Sequence, residues 1–362
     1  MPMSTSRVGN RTRAWLRSLT TPERPKTSGN KICLWPGKST DSLNPFTGDF
    51  SEALESVGYE VEHFSPKRWL LRPHNRYSTL IVHWPEAATL GANPLAHRLS
   101  NFAWVLRLAS FRASGGKVLW VFHNEEPHVK KHLNLSWFAS VTDGVLSPSN
   151  TGLDIAMTKY PWLTSSPKGV ARLGRYTFPE ADEKISRSSL DIPANAKVFI
   201  TFGNITRYKG LETAIDVFSQ LDSQHVLLIV GYAHDADYLR DIRERSNDIP
   251  NVVLISRYVN DSELHALLKL SDAALFTFQR ILHSSSVVAA RSAGLPVLCP
   301  PLGSLPEYAA LDPGISLLAQ RPLTDQVREF NFQANGCLPR QEHYDWNHIA
   351  AEIEETLQLV IP

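Results

Sequence analysis

The segment Lys197–Gln220 combines residue types that could hold a phosphate group. Its apolar run Val198–Phe202 predicts a buried strand, and apolar residues at helical spacing follow. Between strand and helix lie a turn pair and two cations, namely Gly203, Asn204, Arg207 and Lys209. Glycine lets the backbone approach a ligand, and a helix N-terminus offers unpaired N–H groups. The segment therefore predicts a phosphate-binding loop; an ordinary strand-to-helix loop with two solvated cations is the alternative.

A second stretch, Arg280–Pro300, places hydroxyl groups where a helix is expected to begin. The residues are Ser284, Ser285 and Ser286, and His283 directly precedes them. One serine would indicate only an N-cap, whereas three together can converge with free N–H groups on an anion. Because this stretch and the cation loop lie in the same half of the chain, we predict one diphosphate site formed by both.

Histidine and glutamate follow two buried strands in the first half of the chain, predicted at Thr79–Trp84 and Lys117–Phe122. The side chains at those strand ends are His83, Glu86, His123 and Glu126. In parallel sheets a ligand lies beyond the carboxyl ends of the strands. We therefore predict that His123 donates a hydrogen bond to a sugar hydroxyl or removes its proton, although it could be a satisfied loop histidine. Glu86 and Glu126 are the general-base candidates, and the sequence does not decide between them.

The sequence predicts neither a metal site nor a bound cofactor. Asp235 and Asp237 resemble a metal-binding pair, but they open a charged helix, where acids cap the end and stabilise the dipole. His123 and His128 flank a proline loop without further spaced ligands. The cysteines, Cys33, Cys299 and Cys337, show no metal or redox spacing. Such a sparse set fits a reducing compartment.

Length and composition predict a soluble protein of two domains. The chain has 362 residues, 43% of them hydrophobic and 20% charged, with a net charge of +1. A near-neutral chain gives no reason to expect a nucleic-acid partner. No apolar run is long enough to cross a bilayer. Residues 1–30 are basic and include Trp15, so they predict a flexible leader or a weak electrostatic contact with an anionic membrane.

Strands and helices alternate along the chain in two series, the first from Ile32 and the second from Lys197. Such alternation predicts parallel sheets covered by helices on both faces. Asn260, with Glu263 three residues later, predicts a capping box at one helix start. We expect a leader (1–30), a first α/β domain (31–172), a second α/β domain (173–340) and a helix that packs back onto the first domain (341–362).

Several motifs together carry a resemblance to a known family. They are FGNITRYKG, RYVNDSEL and ILHSSSVVAARSAGLPVLCP in the second half, and NPF, HWPE, FHNEEPH and LGRY in the first. From Ile32 to Pro300 the chain resembles two-domain α/β glycosyltransferases of the GT-B fold, similar to family 4. The first-half motifs are similar to family 94, the GDP-mannose:glycolipid 4-beta-mannosyltransferases of xanthan-type exopolysaccharide assembly. The resemblance implies two Rossmann-like domains facing across a cleft, of which the N-terminal domain (31–172) binds the acceptor and the C-terminal domain (173–340) binds the nucleotide sugar.

The resemblance also implies residue roles. The basic pair for the donor diphosphate, the small-residue loop beneath it and the segment along the nucleotide base correspond to Arg207, Lys209, Ser284, Ser285, Ser286, Tyr258 and Val259. His123 corresponds to the acceptor-side histidine that faces the transferred sugar. The paired glutamates of family 4 are absent, and Ala289 stands where a ribose-binding acid is expected. Glu307 is our candidate for that role.

The expected function is therefore transfer of a sugar, mannose from GDP-mannose by the resemblance, to a glycan or polyprenyl-linked oligosaccharide. We expect the protein in the cytoplasm, or peripherally on the inner face of the cell membrane. Three alternatives stay open at this stage: a UDP-sugar donor, a nucleotide-sugar-binding protein without turnover, and a sugar-nucleotide epimerase of the same fold.

Overall fold

The computed structural model describes residues 31–36, 46–63, 78–85, 94–125, 135–332 and 344–361, with the backbone alone for 94–101. The predicted leader 1–30 lies outside these ranges, as do Glu86 and Glu126. Their expected roles therefore stay predictions. Within the described residues, no helix is both long enough and apolar enough to span a membrane.

The described strands form two parallel six-stranded sheets. The first sheet contains β1 (Lys31–Trp35), β2 (Glu60–His63), β3 (Thr79–Val82), β4 (Lys117–Val121), β5 (Gly144–Ser147) and β6 (Lys168–Val170). The second contains β7 (Lys197–Phe202), β8 (His225–Val230), β9 (Val252–Ile255), β10 (Ala273–Leu275), β11 (Val297–Cys299) and β12 (Ile315–Leu317). Strand order is β2-β1-β3-β4-β5-β6 in one and β12-β11-β10-β7-β8-β9 in the other. The predicted α/β class with two doubly wound sheets is confirmed.

Helices connect the strands and cover the sheets. In the first half they are α1 (Phe46–Ser56), α2 (Pro94–Ala113), α3 (Ser136–Ala139) and α4 (Asn150–Lys159). In the second half they are α5 (Leu211–Phe218), α6 (Ala236–Ser246), α7 (Asp261–Leu270), α8 (Ser285–Ser292), α9 (Leu305–Leu311), α10 (Leu323–Arg328) and α11 (Trp346–Val360). The capping box at Asn260 and Glu263 is confirmed at the start of α7.

The apolar runs of the sequence become strands because their side chains are buried on both sheet faces. Strands β3 and β5 are buried along their whole length, as expected for parallel strands between two helical layers. Helix α5 buries Leu211, Ala214, Ile215 and Phe218, which recur at the helical period and give the helix one apolar face. This packing anchors the loop that precedes α5.

A buried ion pair holds helix α8 in place. Arg291 and Asp312 are 1% and 0% exposed, and the guanidinium donates to both carboxylate oxygens at 2.8 and 3.0 Å. Tyr344 donates its hydroxyl to Asp312 at 3.2 Å. A buried charge pair is stable only when its hydrogen bonds are satisfied on both sides. The pair therefore holds α8 to the chain near β12 and α11.

The last helix packs on the first sheet even though it follows the second in sequence. Helix α11 contacts α1, β5 and β6, and it buries Ile349, Ile353 and Leu357. The Trp346 indole donates to the carbonyl of Arg175 at 3.1 Å. Within the described residues, the chain therefore leaves the first sheet before β7 and lies against it again at α11.

Candidate active site

A cavity of about 410 Å³ lies between the carboxyl ends of the two sheets. In the second sheet the strand order reverses beside β7, where ligands bind in doubly wound folds. Most of the site residues predicted from sequence line this cavity: His123, Gly203, Asn204, Lys209, Tyr258, His283, Ser284, Ser285 and Ser286. Arg207 and Glu307 do not line it.

Lys209, Gly203 and Ser286 form the most compact part of the cavity wall. The Lys209 side chain is buried and its amine donates to the carbonyl of Phe202. A Cβ built on Gly203 would lie 2.8 Å from the Lys209 amine and 3.3 Å from the Ser286 hydroxyl. Gly203 also has a φ of +94°, which side-chain-bearing residues rarely adopt. The Lys209 amine and the Ser286 hydroxyl therefore both lie next to a space that a side chain at position 203 would fill.

Burial changes the proton affinity of this amine. Desolvation lowers the pKa of Lys209 to about 7, because a buried ammonium loses its hydration. An anion bound in the cavity would stabilise the ammonium form of Lys209 and so raise its pKa again. Lys209 is therefore poised to take up a proton when a diphosphate binds.

Helix α8 begins at the same wall, as the serine stretch predicted. The Ser284 hydroxyl accepts a hydrogen bond from the Val287 N–H at 3.3 Å and caps the helix. Ser285 and Ser286 occupy the first turn, whose N–H groups have no acceptor within the helix. All three serines line the cavity, and Ser284 is also the helix cap. This helix start suits an anion.

Arg207 lies away from Lys209, contrary to the expected joint role. The two residues share a single 3₁₀ turn, Arg207–Lys209, in which three residues complete one turn, so side chains two apart point in different directions. The Arg207 guanidinium is 3.4 Å from Asp235 and 3.8 Å from Asp241. It also lies over the Tyr238 ring, 4.8 Å from the centroid.

One of the acids near Arg207, Asp235, caps helix α6. Asp235 accepts a hydrogen bond from the Tyr238 N–H at 2.9 Å and caps α6. This N-cap confirms the helix-start interpretation of Asp235. Among the residues that the structure describes, no three His, Cys, Asp or Glu side chains are grouped so that they could hold a metal ion.

His123 lines the cavity from the first domain, with a second histidine behind it. His83 Nδ1 and His123 Nε2 are 2.9 Å apart. The Trp84 ring stacks on His123 with centroids 4.9 Å apart, and the Phe46 ring meets it edge-on at 5.2 Å. Burial lowers the pKa of His83 to about 3, so this ring is neutral near pH 7. The imidazole pair is enclosed by aromatic rings.

His283 joins the two domains at the cavity. Its Nδ1 lies 2.8 Å from the carbonyl oxygen of His123, and its Nε2 lies 2.9 Å from the Ser149 hydroxyl. A carbonyl can only accept, so Nδ1 carries the proton and Nε2 accepts from Ser149. Burial lowers the pKa of His283 to about 4, which keeps the ring neutral. His283 was expected to bind the donor; in the structure its ring nitrogens hold first-domain groups.

Glu307 occupies a different site from the ribose position expected of it. Its carboxylate accepts from the Asn150 N–H at 3.1 Å and from the Thr151 N–H at 3.1 Å. The Asn150 amide and the Thr151 hydroxyl add bonds of 3.0 and 3.3 Å. These groups belong to the start of α4, where a negative charge is stabilised by the helix dipole. Glu307 therefore clamps the second domain to the first.

Asp49 is a cavity residue that the sequence reasoning missed. It lies in the first turn of α1 and lines the cavity. Among the described residues, it is the first-domain carboxylate in this wall. Helix α1 begins one turn before Asp49, at Phe46. The available signal was an acid in the first turn of the helix that follows β1 in the described chain, because the carboxyl end of β1 faces the cleft.

Tyr258 and Arg257 lie at the mouth of the cavity. Tyr258 is 54% exposed. The Arg257 guanidinium pairs with Glu263 at 2.7 Å, so its direction is set by α7. Ala289 lines the cavity with a methyl group where an acid was expected. This wall therefore presents no carboxylate from that position.

Comparisons with known proteins agree with this architecture. Residues 182–314 match the family described as Glycosyl transferases group 1. No curated protein sequence matches the chain closely enough to indicate a relative.

Solved structures match nearly the whole chain. HepE from Anabaena in complex with UDP-glucose superposes with a TM-score of 0.60 at 14% identity, covering 91% of this chain and 97% of that one. Sucrose-phosphate synthase from Thermosynechococcus elongatus gives 0.60 at 16% identity, covering 92% and 95%. WaaG, a glycosyltransferase involved in lipopolysaccharide biosynthesis, gives 0.55 at 15% identity, covering 91% and 96%. At such identities these likenesses establish the fold.

The fold is GT-B, two Rossmann-like domains that face each other across a cleft. The second domain carries the match to group 1 glycosyl transferases. The fold and this match to part of the chain together indicate a glycosyltransferase.

Proposed function

We propose that the protein transfers a hexosyl group from a nucleotide sugar to a glycan or polyprenyl-linked oligosaccharide in exopolysaccharide or capsule synthesis. The observation that carries the proposal is the convergence of Lys209, Gly203 and the start of α8 on one wall of the cavity that His123 lines. A cation, an open glycine and a helix N-terminus are together suited to a diphosphate.

The chemistry would run across the cavity. The bond between the anomeric carbon and the diphosphate oxygen breaks, and the nucleoside diphosphate leaves with the electron pair. Protonated Lys209 and the first-turn N–H groups of α8 stabilise that developing charge. In this proposal they take the place of a metal or another cofactor. The acceptor oxygen bonds to the anomeric carbon, and its proton passes to a carboxylate, for which Asp49 joins Glu86 and Glu126 as a candidate.

The donor we favour is GDP-mannose, on the basis of the sequence motifs FHNEEPH and HWPE. A UDP-sugar is the second candidate, because HepE was solved with UDP-glucose and shares the fold. The base of either donor would lie along Tyr258 and Val259, which line the cavity mouth. A purine is larger than a pyrimidine, so a base site that fits one should bind the other more weakly. Competition between GDP-mannose and a UDP-sugar therefore separates the two candidates.

The test is nucleotide release from a panel of GDP- and UDP-sugars, with and without a membrane lipid extract. We expect release with one nucleotide class, increased by the extract, and lost in Lys209→Met. Arg207→Ala is the matched control, since it removes a cation of the same turn that faces away from the cavity. The absence of release with every donor would contradict the proposal and favour a binding protein without turnover. A free sugar product formed without acceptor would favour an epimerase.

We further propose that helix α2 contacts the inner face of the cell membrane. Phe102 and Leu106 are 62% and 53% exposed and lie one turn apart on this helix. Such neighbouring apolar side chains fit a lipid surface better than water. Flotation with anionic vesicles should weaken in the double variant Phe102→Ser, Leu106→Ser. Leu359→Ser, which changes an exposed leucine on α11, should float like the wild type.

A further inference from the structure

His83 is a buried histidine that the proposed reaction does not use. It follows β3, is 1% exposed, and places Nδ1 2.9 Å from Nε2 of His123. The Phe50 and Phe46 rings meet its ring edge-on, with centroids 4.8 and 5.6 Å away. Two imidazoles at this distance share one hydrogen, so one donates and the other accepts. Which one donates decides the chemistry of His123.

The other nitrogen of His83 distinguishes the two arrangements. Within the described part of the chain, His83 Nε2 is buried without a hydrogen-bond partner. If His123 donated, neutral His83 would carry its proton on Nε2, which would leave a buried N–H unsatisfied. If His83 donates from Nδ1, Nε2 carries only a lone pair. Orphaned buried N–H groups are the rarer of the two in native structures, so the second arrangement is favoured.

We propose that His83 is a positioning residue that holds His123 in the tautomer with its proton on Nδ1. His123 Nε2 then accepts from His83, and Nδ1–H donates. Both ring nitrogens are thereby assigned, and neutral His123 keeps no lone pair with which to remove a proton from an acceptor hydroxyl. The low pKa of His83, about 3, agrees with its neutral state in this pair.

The consequence for the reaction rests on the proposed function. His123 acts as a hydrogen-bond donor to an oxygen of the sugar or of the leaving group, and the general base is a different group. This resolves the choice between donor and base that the sequence leaves open. The tautomer itself does not depend on which donor or acceptor the enzyme uses.

Two variants of His83 test the pair. His83→Asn keeps an amide N–H donor near the place of Nδ1, whereas His83→Phe keeps an aromatic ring and removes the donor. Long-range proton–nitrogen spectra of ¹⁵N-histidine-labelled full-length protein report the tautomer, and His123→Gln assigns the signal. We expect Nδ1–H on His123 in the wild type and in His83→Asn, and loss of that single signature in His83→Phe. A wild-type His123 that carries its proton on Nε2 would overturn the proposal.

Kinetics of nucleotide release give an independent readout. A hydrogen-bond donor positioned at a charge that develops in the transition state contributes about 100-fold or more to the chemical step. We expect His83→Phe to lower kcat by about tenfold or more with KM for the donor nearly unchanged, and His83→Asn to recover most of the loss. A folded His83→Phe with wild-type kcat would overturn the positioning role. If the spectra show the Nδ1–H tautomer but no nucleotide sugar is turned over, the proposed function fails while the tautomer assignment stands.

Discussion

Lys209 gives the sharpest prediction, because its charge depends on the ligand. In the free protein desolvation lowers the pKa of Lys209 to about 7. A bound diphosphate favours the ammonium form and raises that pKa. Donor binding above pH 7 therefore requires proton uptake. The affinity is fully present below pH 7 and is lost as the pH rises, until the pKa of the bound state is reached.

The size of the effect follows from this shift. With a free-state pKa of about 7 and a bound-state pKa well above 9, the dissociation constant rises about 50-fold between pH 7 and pH 9. Burial holds the pKa of His83 at about 3 and of His283 at about 4, so neither ring changes charge in this window. Lys209→Met removes a charge-assisted contact of about 1.5–3 kcal/mol, which weakens binding at pH 7 by about 10- to 150-fold.

The assay is isothermal titration of the intact nucleotide sugar between pH 7 and pH 9. Buffers of different ionisation enthalpy report the protons taken up, and we expect close to one per donor at pH 8.5. Lys209→Met should show a flat profile, and Arg207→Ala should keep the wild-type slope. A dissociation constant that is the same at pH 7 and pH 9, or an equal slope in Lys209→Met, would refute the reasoning. Free Lys209→Met should be at least as stable as wild type, because a buried amine is removed.

Three further predictions concern residues around the cavity. Glu307→Gln should lower kcat/KM by about tenfold, because a charge-assisted clamp worth about 1.5–3 kcal/mol between the domains is weakened; unchanged steady-state kinetics would contradict the clamp. Arg207→Ala should leave donor affinity within about threefold of wild type, since exposed ion pairs contribute little; a large loss by titration would return Arg207 to the site. Asp312→Ala should lower the free energy of unfolding by about 3–5 kcal/mol in denaturant titration, because Arg291 keeps an uncompensated buried charge; a change below about 1 kcal/mol would contradict that.

Local patterns predicted the elements of this fold well. The apolar runs became β3, β4 and β7 within a residue or two of the expected bounds. The serine stretch opened α8, and the capping box opened α7. These features are readable because strand periodicity, helix caps and turn residues act over a few neighbouring positions. The parallel sheets then follow from the alternation of strands and helices.

The direction of individual side chains was beyond such reasoning. Arg207 and Lys209 are close in sequence, and the sequence treats them as equivalent cations. Because the two residues share a single 3₁₀ turn, Arg207 points to the acids at the surface and Lys209 lies beside Gly203. Asp49 was missed because its place in the cavity wall depends on how α1 packs, which the residues around it in sequence do not show.

The amino-acid sequence by itself determined the class of fold, and it predicted the anion-binding segments of the second domain, because both depend on local composition and spacing. The tertiary structure decided the partners. Glu307 meets the start of α4, 156 residues away, and His83 meets His123 across neighbouring strands 40 residues apart. The first contact depends on how the two domains pack, and the second depends on which strands pair within one sheet. The burial and distances that result set the pKa, the tautomer and the available donors of each group.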